Sequence, residues 1–317
     1  MHLLWAFALA VKGRNSPTMT DTMTDTLTIG FIGLGLMGSA MVTRLQEKGY
    51  AVTVMANRSR GNVDAAVARG ATEVSTAREV AAASDVIMLC VDTSISVEGR
   101  VYGPDGILAG AGSGAILVDF GTSLPGSTAK IAADLGEKGV AMMDAPLGRT
   151  PSHALEGKLN IMSAGSEADF ARMKPIFDDL GENVFHVGPL GAGHTLKLIN
   201  NFFAMTTATA MSEAFAVADL AGLPREKLYE VMAAGPLRSG MMDFIKAYAI
   251  DGDIQLAFSV ANARKDVGYY AQMTDEMDVP SQMSHAAKNA LGVAKANGFG
   301  EHMVPEMVDY FADLFKK

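Results

Sequence analysis

The chain has 317 residues, is 49% hydrophobic and carries a formal net charge of −9. This length exceeds the usual size of one hydrophobic core, so two domains are expected. The acidic balance argues against nonspecific nucleic-acid binding, which needs a basic surface, and no run of about 18 apolar residues predicts a membrane span. The single cysteine, Cys90, cannot form an internal disulfide. These properties are typical of a compact cytoplasmic protein.

The first 26 residues differ from the rest of the chain. Residues 3–11 are apolar, as in the core of a signal peptide, but neither Lys nor Arg precedes them, and a stretch rich in Ser, Thr, Asp and Met follows. We therefore predict that residues 1–26 are a disordered or vestigial extension. Met19 and Met23 are alternative starting residues.

A short apolar strand is predicted at residues 27–32, followed by a helix that runs through Leu45. The turn between them has the G-x-G-x-x-G spacing, in which the first glycine permits a tight bend, the second lets the backbone approach a pyrophosphate, and the third allows helix and strand to pack closely. The start of the helix adds free N–H groups and a positive dipole end. We predict that this turn binds a dinucleotide through Gly33, Leu34, Gly35, Leu36 and Met37, with Gly38 as the third glycine.

The second strand, predicted at residues 51–56, ends at Asn57, Arg58 and Ser59. Folds that select NAD place a carboxylate at this point, on the ribose hydroxyls. This sequence has no carboxylate there, and an arginine beside a serine can bind a 2′-phosphate. We therefore predict that these three residues contact the cofactor and that NADP(H) is favoured over NAD(H). The alternative is that Arg58 is a solvated loop residue.

Further strands are predicted at residues 86–91 and 115–119, and helix-forming segments such as 77–83 lie between the strands. This alternation predicts an α/β fold, a Rossmann-type doubly wound parallel sheet over residues 27–190. Ligands of such sheets bind beyond the carboxyl ends of the strands. The loops that contain Val91, Asp92 and Thr122 are therefore expected to lie along the dinucleotide.

The loop at residues 143–151 contains two prolines and one arginine between small residues. Arg149 provides a planar set of donors, Thr150 provides a hydroxyl, and the loop backbone adds N–H groups. We predict that Gly148, Arg149 and Thr150 bind the carboxylate, sulfonate or phosphate of an anionic substrate. The alternative is that Arg149 pairs with a surface acid.

A long helix is predicted from about residue 191 through Leu220, with a break at residues 222–224 and a further helix at 225–234. Lys197, Asn200 and Asn201 interrupt its apolar start, and their spacing places them on one face. A lysine among apolar residues is costly unless it has a partner or a role, although it can also extend to water. We predict that these three side chains act on the substrate and that residues 191–317 form an all-α domain.

Several short motifs occur in order along the chain: Gly33-Leu34-Gly35-Leu36-Met37-Gly38, Asp144-Ala145-Pro146, Gly157-Lys158-Leu159, Lys197-Leu198-Ile199-Asn200-Asn201, and Phe258 with Lys265-Asp266. With these motifs the chain resembles the β-hydroxyacid dehydrogenase family, which includes 3-hydroxyisobutyrate dehydrogenase, from about residue 27 to the end. The resemblance implies reversible hydride transfer, with Lys197 as the acid/base, Asn200 and Asn201 holding the substrate, and Lys265 near the cofactor. It also implies a homodimer or homotetramer built through the helical domain. We assign no metal site.

Two segments depart from most of the family. Gly148-Arg149-Thr150 stands where most relatives have Ser-Gly-Gly, and it is similar to the segment in the 3-sulfolactaldehyde reductases. Gly121 lacks a hydroxyl that relatives carry, which leaves Thr122, Ser123 or the backbone to bind the substrate. The similarity implies reduction of a small anionic aldehyde like 3-sulfolactaldehyde to the alcohol. Alternatives are the succinic semialdehyde/4-hydroxybutyrate, 3-hydroxyisobutyrate and tartronate semialdehyde reactions and, from another class, a noncatalytic cofactor-binding module.

Overall fold

The computed structural model describes residues 27–57 and 60–316. The predicted extension at residues 1–26 and the predicted cofactor residues Arg58 and Ser59 therefore lie outside the described residues. Strands alternate with helices from Ile29 to His186, and the chain is mainly helical from Ala192 onward.

In the described part of the chain, the first half is built around a parallel sheet of six strands in the order β3-β2-β1-β4-β5-β6. This is the order of the doubly wound dinucleotide-binding fold, and it confirms the predicted Rossmann-type sheet. The four strands predicted from sequence are present but shorter by one or two residues. The strands are β1 (Ile29–Ile32), β2 (Val52–Met55), β3 (Thr72–Val74), β4 (Val86–Leu89), β5 (Ile116–Asp119) and β6 (Ala141–Asp144).

Helices cover both faces of this sheet. They are α1 (Leu36–Glu47), α2 (Arg60–Ala68), α3 (Ala77–Ala82), α4 (Ser94–Val101), α5 (Ile107–Gly110) and α6 (Pro125–Gly136). Successive side chains of a strand point to opposite faces. Val86 and Met88 of β4 accordingly pack in the hydrophobic cluster with α1 and α2, whereas Ile87 and Leu89 pack in the cluster with α3 and α6.

A second, smaller sheet follows β6, and the sequence does not predict it. Its strands are β7 (Leu147–Gly148), β8 (Leu159–Ser163) and β9 (Gly181–His186), connected by α7 (Pro151–Leu155) and α8 (Glu167–Leu180). β7 runs antiparallel to β8, and β9 runs parallel to it. β7 is only two residues long and β9 is largely accessible to solvent, so neither shows the apolar alternation that predicts a strand. The predicted substrate loop is thus a short edge strand followed by a helix.

The second half of the described chain is mainly helical, as predicted. Its helices are α9 (Ala192–Leu220), α10 (Arg225–Ala233), α11 (Gly240–Asp251), α12 (Val260–Glu276), α13 (Gln282–Ala294) and α14 (Met307–Phe315), with a kinked turn at Lys295–Phe299 and a 3-10 turn at Val304–Glu306. α9 packs against α11, α12 and α14 around Met205, Phe215 and Phe311. No helix in the described ranges is long and apolar enough to cross a membrane.

Candidate active site

The glycine-rich turn between β1 and α1 uses each of its glycines differently. Gly33 has φ of +106°, and a Cβ at this position would lie 2.2 Å from the carbonyl oxygen of Cys90. A Cβ at Gly38 would lie 2.0 Å from the carbonyl oxygen of Gly33. At Gly35 a Cβ would meet nothing within 4 Å, and α1 begins there without a side-chain cap. The turn therefore leaves an open cradle of backbone N–H groups at Gly35, which fits a pyrophosphate.

A cleft of about 430 Å³ opens at the carboxyl ends of the strands, next to this turn. We call it the strand-end cleft. Six of the predicted cofactor residues line it, whereas Leu36, Met37, Thr122 and Lys265 do not. Leu36 is the exposed first residue of α1, and Met37 packs partly against the core. The lining residues are Gly33, Leu34, Gly35, Met55, Asn57, Val63, Cys90, Val91, Asp92, Ser96, Gly99 and Arg100.

Sequence reasoning missed the contribution of α4 to this cleft. The Thr93 side chain caps the helix by accepting a hydrogen bond from the Ser96 N–H (3.0 Å), and the Ser96 hydroxyl donates to Asp92 (2.7 Å). Ser96 and Arg100 are four residues apart, so they share the face that lines the cleft. This spacing of two polar residues on one helix face was the feature of the sequence from which their place in the cleft could have been predicted. Arg100 brings positive charge to the same cleft as Asn57.

The loop after β5 is organised by the wholly buried carboxylate of Asp119. It accepts hydrogen bonds from the Gly121 N–H (2.8 Å) and the Ser123 hydroxyl (2.7 Å). A Cβ at Gly121 would lie 2.9 Å from Asp119 Oδ1 and 3.0 Å from the Val91 carbonyl oxygen. This close packing explains why residue 121 is a glycine, since a larger residue would contact these two oxygens too closely. The Ser123 hydroxyl is occupied by Asp119, which leaves half-buried Thr122 as the other hydroxyl of the turn.

Lys197 lies in the second turn of α9 with a half-buried side chain. Its ammonium donates a hydrogen bond to the carbonyl oxygen of Leu147 at 2.7 Å. Burial lowers the pKa of Lys197 because it disfavours the charged form, the negative charge of Asp266 opposes this change, and the positive charge of Lys265 adds to it. The net effect is a lysine that loses its proton more readily than one in water.

Asn201 and Asp266 link α9 to α12 beside this lysine. The buried Asn201 amide donates to the buried Asp266 carboxylate at 2.6 Å, and the more exposed Asn200 donates to Asn201 at 3.2 Å. The other Asp266 oxygen lies 3.0 Å from the Lys265 ammonium, which also donates to the Asp92 carbonyl at 2.5 Å. Lys265 therefore connects the helical part of the chain to the rim of the strand-end cleft. Sequence reasoning placed Lys265 near the cofactor but assigned no role to Asp266.

Two comparisons with known proteins agree with this geometry. Residues 28–188 match the family described as the NAD binding domain of 6-phosphogluconate dehydrogenase, and residues 191–311 match the family described as NAD-binding of NADP-dependent 3-hydroxyisobutyrate dehydrogenase. The chain is 34% identical over 294 residues to 2-(hydroxymethyl)glutarate dehydrogenase of Eubacterium barkeri, a match that covers 92% of this chain and 97% of the relative. This chain belongs to the β-hydroxyacid dehydrogenase family.

Other members of the family support the same assignment. Identity to the 3-sulfolactaldehyde reductase of Escherichia coli (strain K12) is 30% over 278 residues, which covers 86% of this chain and 91% of that protein. The crystal structure of 3-hydroxyisobutyrate dehydrogenase (ygbJ) from Salmonella typhimurium matches with a TM-score of 0.77 at 27% identity, covering 90% of this chain and 99% of that one. As a β-hydroxyacid dehydrogenase family member, the protein is an NAD(P)-dependent enzyme that acts on a CH–OH group.

The predicted anion-binding residues directly follow Leu147, whose carbonyl contacts Lys197, but the side chains of Arg149 and Thr150 contact their own neighbours. Arg149 has φ of +77°, its guanidinium pairs with Glu182 of β9, and it donates to the Lys158 carbonyl at 2.8 Å. Gly148 pairs with β8, and the Thr150 hydroxyl lies 2.7 Å from both Ser152 and His153. The pairing of Arg149 with a surface acid, the alternative given above, is thus observed; its contact with a substrate stays a prediction.

Proposed function

We propose that this enzyme reversibly reduces a small anionic aldehyde to the corresponding hydroxyacid, with Lys197 as the acid/base. One observation carries the proposal. The Lys197 ammonium, with its lowered pKa, is fixed beside the Leu147 carbonyl, and Lys265 and Asp266 join this site to the strand-end cleft. The proton-transfer group is therefore coupled by charge to the Lys265–Asp266 pair, which contacts the rim of the strand-end cleft.

The chemistry divides between the cofactor and the protein. A bound nicotinamide cofactor supplies a hydride to the carbonyl carbon or accepts one from the alcohol. Protonated Lys197 donates to the developing alkoxide oxygen during reduction, and neutral Lys197 removes the alcohol proton during oxidation. Because its pKa is lowered, both forms are accessible nearer to neutral pH than for an ordinary lysine. Asn200 follows Lys197 by three residues on the same helix, and we assign it the role of holding the substrate hydroxyl.

We place the substrate anion on the segment Gly148-Arg149-Thr150, which directly follows the carbonyl that Lys197 contacts. Its backbone N–H groups can bind a sulfonate or a carboxylate, and the Arg149 guanidinium can join them by exchanging Glu182 for the substrate. The relatives act on substrates of both anion classes, as their names state. A 3-sulfolactaldehyde-like substrate is our first choice, and succinic semialdehyde, 3-hydroxyisobutyrate and tartronate semialdehyde are the alternatives.

The test is a comparison of initial rates of NADPH and NADH oxidation with 3-sulfolactaldehyde, succinic semialdehyde and the aldehyde of 2-(hydroxymethyl)glutarate. The wild type is compared with Arg149→Ala and with Lys158→Ala, a matched change of a neighbouring exposed cation. A sulfonate preference that Arg149→Ala alone removes supports the proposal. Activity on the carboxylates alone assigns the chain to the general semialdehyde reductases, and inactivity on all three overturns the substrate class.

We also propose that NADP(H) is preferred over NAD(H). β2 leads to Asn57 on the rim of the strand-end cleft, where the ribose of an NAD-selective enzyme meets a carboxylate, and Arg58 follows in sequence. Arg100 adds a cation to the same cleft. An Asn57→Asp variant should lower the kcat/KM ratio of NADPH over NADH by about tenfold, because the new carboxylate repels a 2′-phosphate and accepts from ribose hydroxyls. An unchanged ratio would contradict this preference.

We propose, finally, that the enzyme is a homodimer or homotetramer in which α9 packs against a second copy. Large apolar side chains recur at helical spacing on the exposed side of α9. An exposed apolar surface of this kind favours association with another protein surface. Light scattering on the wild type and a Val217→Glu variant tests the assembly, with dissociation of the variant as the expected result. The exposed side chains are Leu196, Ile199, Phe203, Val217 and Leu220.

A further inference from the structure

We infer that Asp144 is a positioning residue, which fixes the start of α9 on the sheet and thereby holds Lys197 beside the Leu147 carbonyl. The inference rests on the proposed function, because it takes Lys197 as the acid/base. Asp144 is the last residue of β6, is wholly buried, and lies outside the strand-end cleft. Its role is therefore separate from contact with substrate or cofactor.

The start of α9 needs a hydrogen-bond acceptor from elsewhere in the chain. The first N–H groups of a helix have no partner within the helix. The residue before α9 is Gly191, which has φ of +89° and no side chain to act as a cap. Asp144 supplies both acceptors: Oδ1 accepts from the Gly191 N–H and Oδ2 from the His194 N–H, each at 2.7 Å. A carboxylate at the positive end of the helix dipole is favourable in addition.

The backbone of α9 also lies unusually close to the sheet at this point. A Cβ on Gly193 would lie 2.4 Å from the Met162 carbonyl oxygen and 2.8 Å from Asp144 Oδ2. Only glycine allows this approach, since real Cβ contacts are not this short. The distance between the helix and the strand end is therefore set by direct backbone packing as well as by the two hydrogen bonds.

His194 extends this contact to the neighbouring strand. Its ring is wholly buried, with Nδ1 2.8 Å from the Thr128 hydroxyl of α6 and Nε2 3.6 Å from Asp119 at the end of β5. The first turn of α9 is thus fixed from two strand ends and one helix. Such an arrangement resists rotation of the helix about its axis, which a single cap would permit.

Lys197 follows His194 by three residues, so it lies one turn further on the same side of the helix. Its ammonium reaches the Leu147 carbonyl, three residues after Asp144. One short segment, residues 144–147, therefore holds both the backbone that carries the lysine and the ammonium itself. A displacement of about 1 Å in a catalytic group can lower a rate roughly 100-fold, so loss of this contact is expected to appear in kcat.

The test is a double-mutant cycle of Asp144→Asn and Lys197→Ala in the full-length enzyme. Asparagine keeps the shape but turns one acceptor into a donor that faces an N–H group. With Lys197 present, Asp144→Asn should lower kcat by about 10- to 100-fold while the NADPH dissociation constant, measured by fluorescence, changes by less than about twofold. In the Lys197→Ala background the same change should lower the residual rate by less than about threefold.

Two results would overturn the inference. One is an equal loss of rate from Asp144→Asn in both backgrounds, which would show that Asp144 acts independently of the lysine. The other is a full kcat in Asp144→Asn. If that variant does not yield folded protein, Gly193→Ala, whose Cβ would push the same turn away from the Met162 carbonyl and from Asp144, is expected to give the same fall in kcat with Lys197 present and the same small change in the Lys197→Ala background. Full turnover in Lys197→Ala alone would instead overturn the proposed acid/base, which separates the two failures.

Discussion

We propose that the glycine-rich turn at the end of β1 and the segment Gly148-Arg149-Thr150 at the end of β7 each bind an anion, and they do so in different ways. The first offers backbone N–H groups held open by glycines, and no side chain partner is needed. The second depends on an arginine whose guanidinium already pairs with Glu182, a residue 33 positions later in the chain. A site made of backbone groups can be recognised from the spacing of neighbouring residues in the sequence. A site made of side chains depends on partners that lie far apart in the sequence and meet only in the folded protein.

The largest effect is expected at Lys197, whose proposed role depends on its side chain. Lys197→Ala should lower kcat by roughly 100- to 10,000-fold, the usual contribution of general acid–base catalysis, and should leave NADPH affinity nearly unchanged. Steady-state rates and fluorescence titration measure the two quantities. Lys227→Ala, which removes an exposed ammonium paired with Glu230, is the control and should be fully active. Loss of cofactor binding in Lys197→Ala would mean that the lysine contributes to cofactor binding at the glycine-rich turn instead.

Two glycines of the turn, Gly33 and Gly35, should respond differently to substitution. Gly33→Ala forces a Cβ to within 2.2 Å of the Cys90 carbonyl at a φ of +106°, so it should cost about 1–3 kcal/mol of unfolding free energy or more. Gly35→Ala meets no protein atom within 4 Å, so it should fold normally and instead raise the KM for the cofactor by about tenfold. Thermal unfolding and cofactor kinetics distinguish them. Equal loss of stability in both variants would be inconsistent with an open cradle at Gly35.

The pH dependence should report the environment of Lys197. Alcohol oxidation needs the neutral amine, so its kcat/KM should rise with pH around a midpoint below the value of about 10.4 for a free lysine, because burial lowers the pKa. Asp266 opposes this change by stabilising the ammonium. Asp266→Asn should therefore move the midpoint to still lower pH. A midpoint that rises in this variant, or that stays where it was, would exclude Asp266 as the compensating charge.

The smallest effect is expected where Arg149 meets Glu182. Glu182→Gln removes a charge from a half-exposed pair, and such pairs contribute about 0–1 kcal/mol to stability. The freed guanidinium should lower the KM for an anionic aldehyde by about two- to fivefold, with unfolding hardly changed. Glu156→Gln, at the exposed pair with Lys158, is the matched control. A KM that rises would mean that Glu182 orients Arg149 for the substrate rather than competing for it.

The sequence was informative wherever local pattern determines structure. The spacing of Gly33, Gly35 and Gly38 and the alternation of strands and helices predicted the sheet and the turn correctly, and the apolar run with its break at residues 222–224 predicted α9 and α10. The small sheet was missed because β7 has two residues and β9 is accessible to solvent. Asp266 and Glu182 were missed as partners since each contacts a residue more than 30 positions away.

Lys265 has one further consequence for how this enzyme can be altered. It belongs to α12, yet its ammonium contacts the Asp92 carbonyl on the rim of the strand-end cleft as well as the carboxylate of Asp266. The helical half of the chain is thus in direct contact with the rim of the strand-end cleft. Consider a chimera that joins the helical half of a relative to this sheet. It would need a lysine at the position equivalent to Lys265, and α12 would have to lie close enough to the loop after β4 for this lysine to reach the Asp92 carbonyl. Without that contact, we expect the chimera to bind the cofactor less tightly.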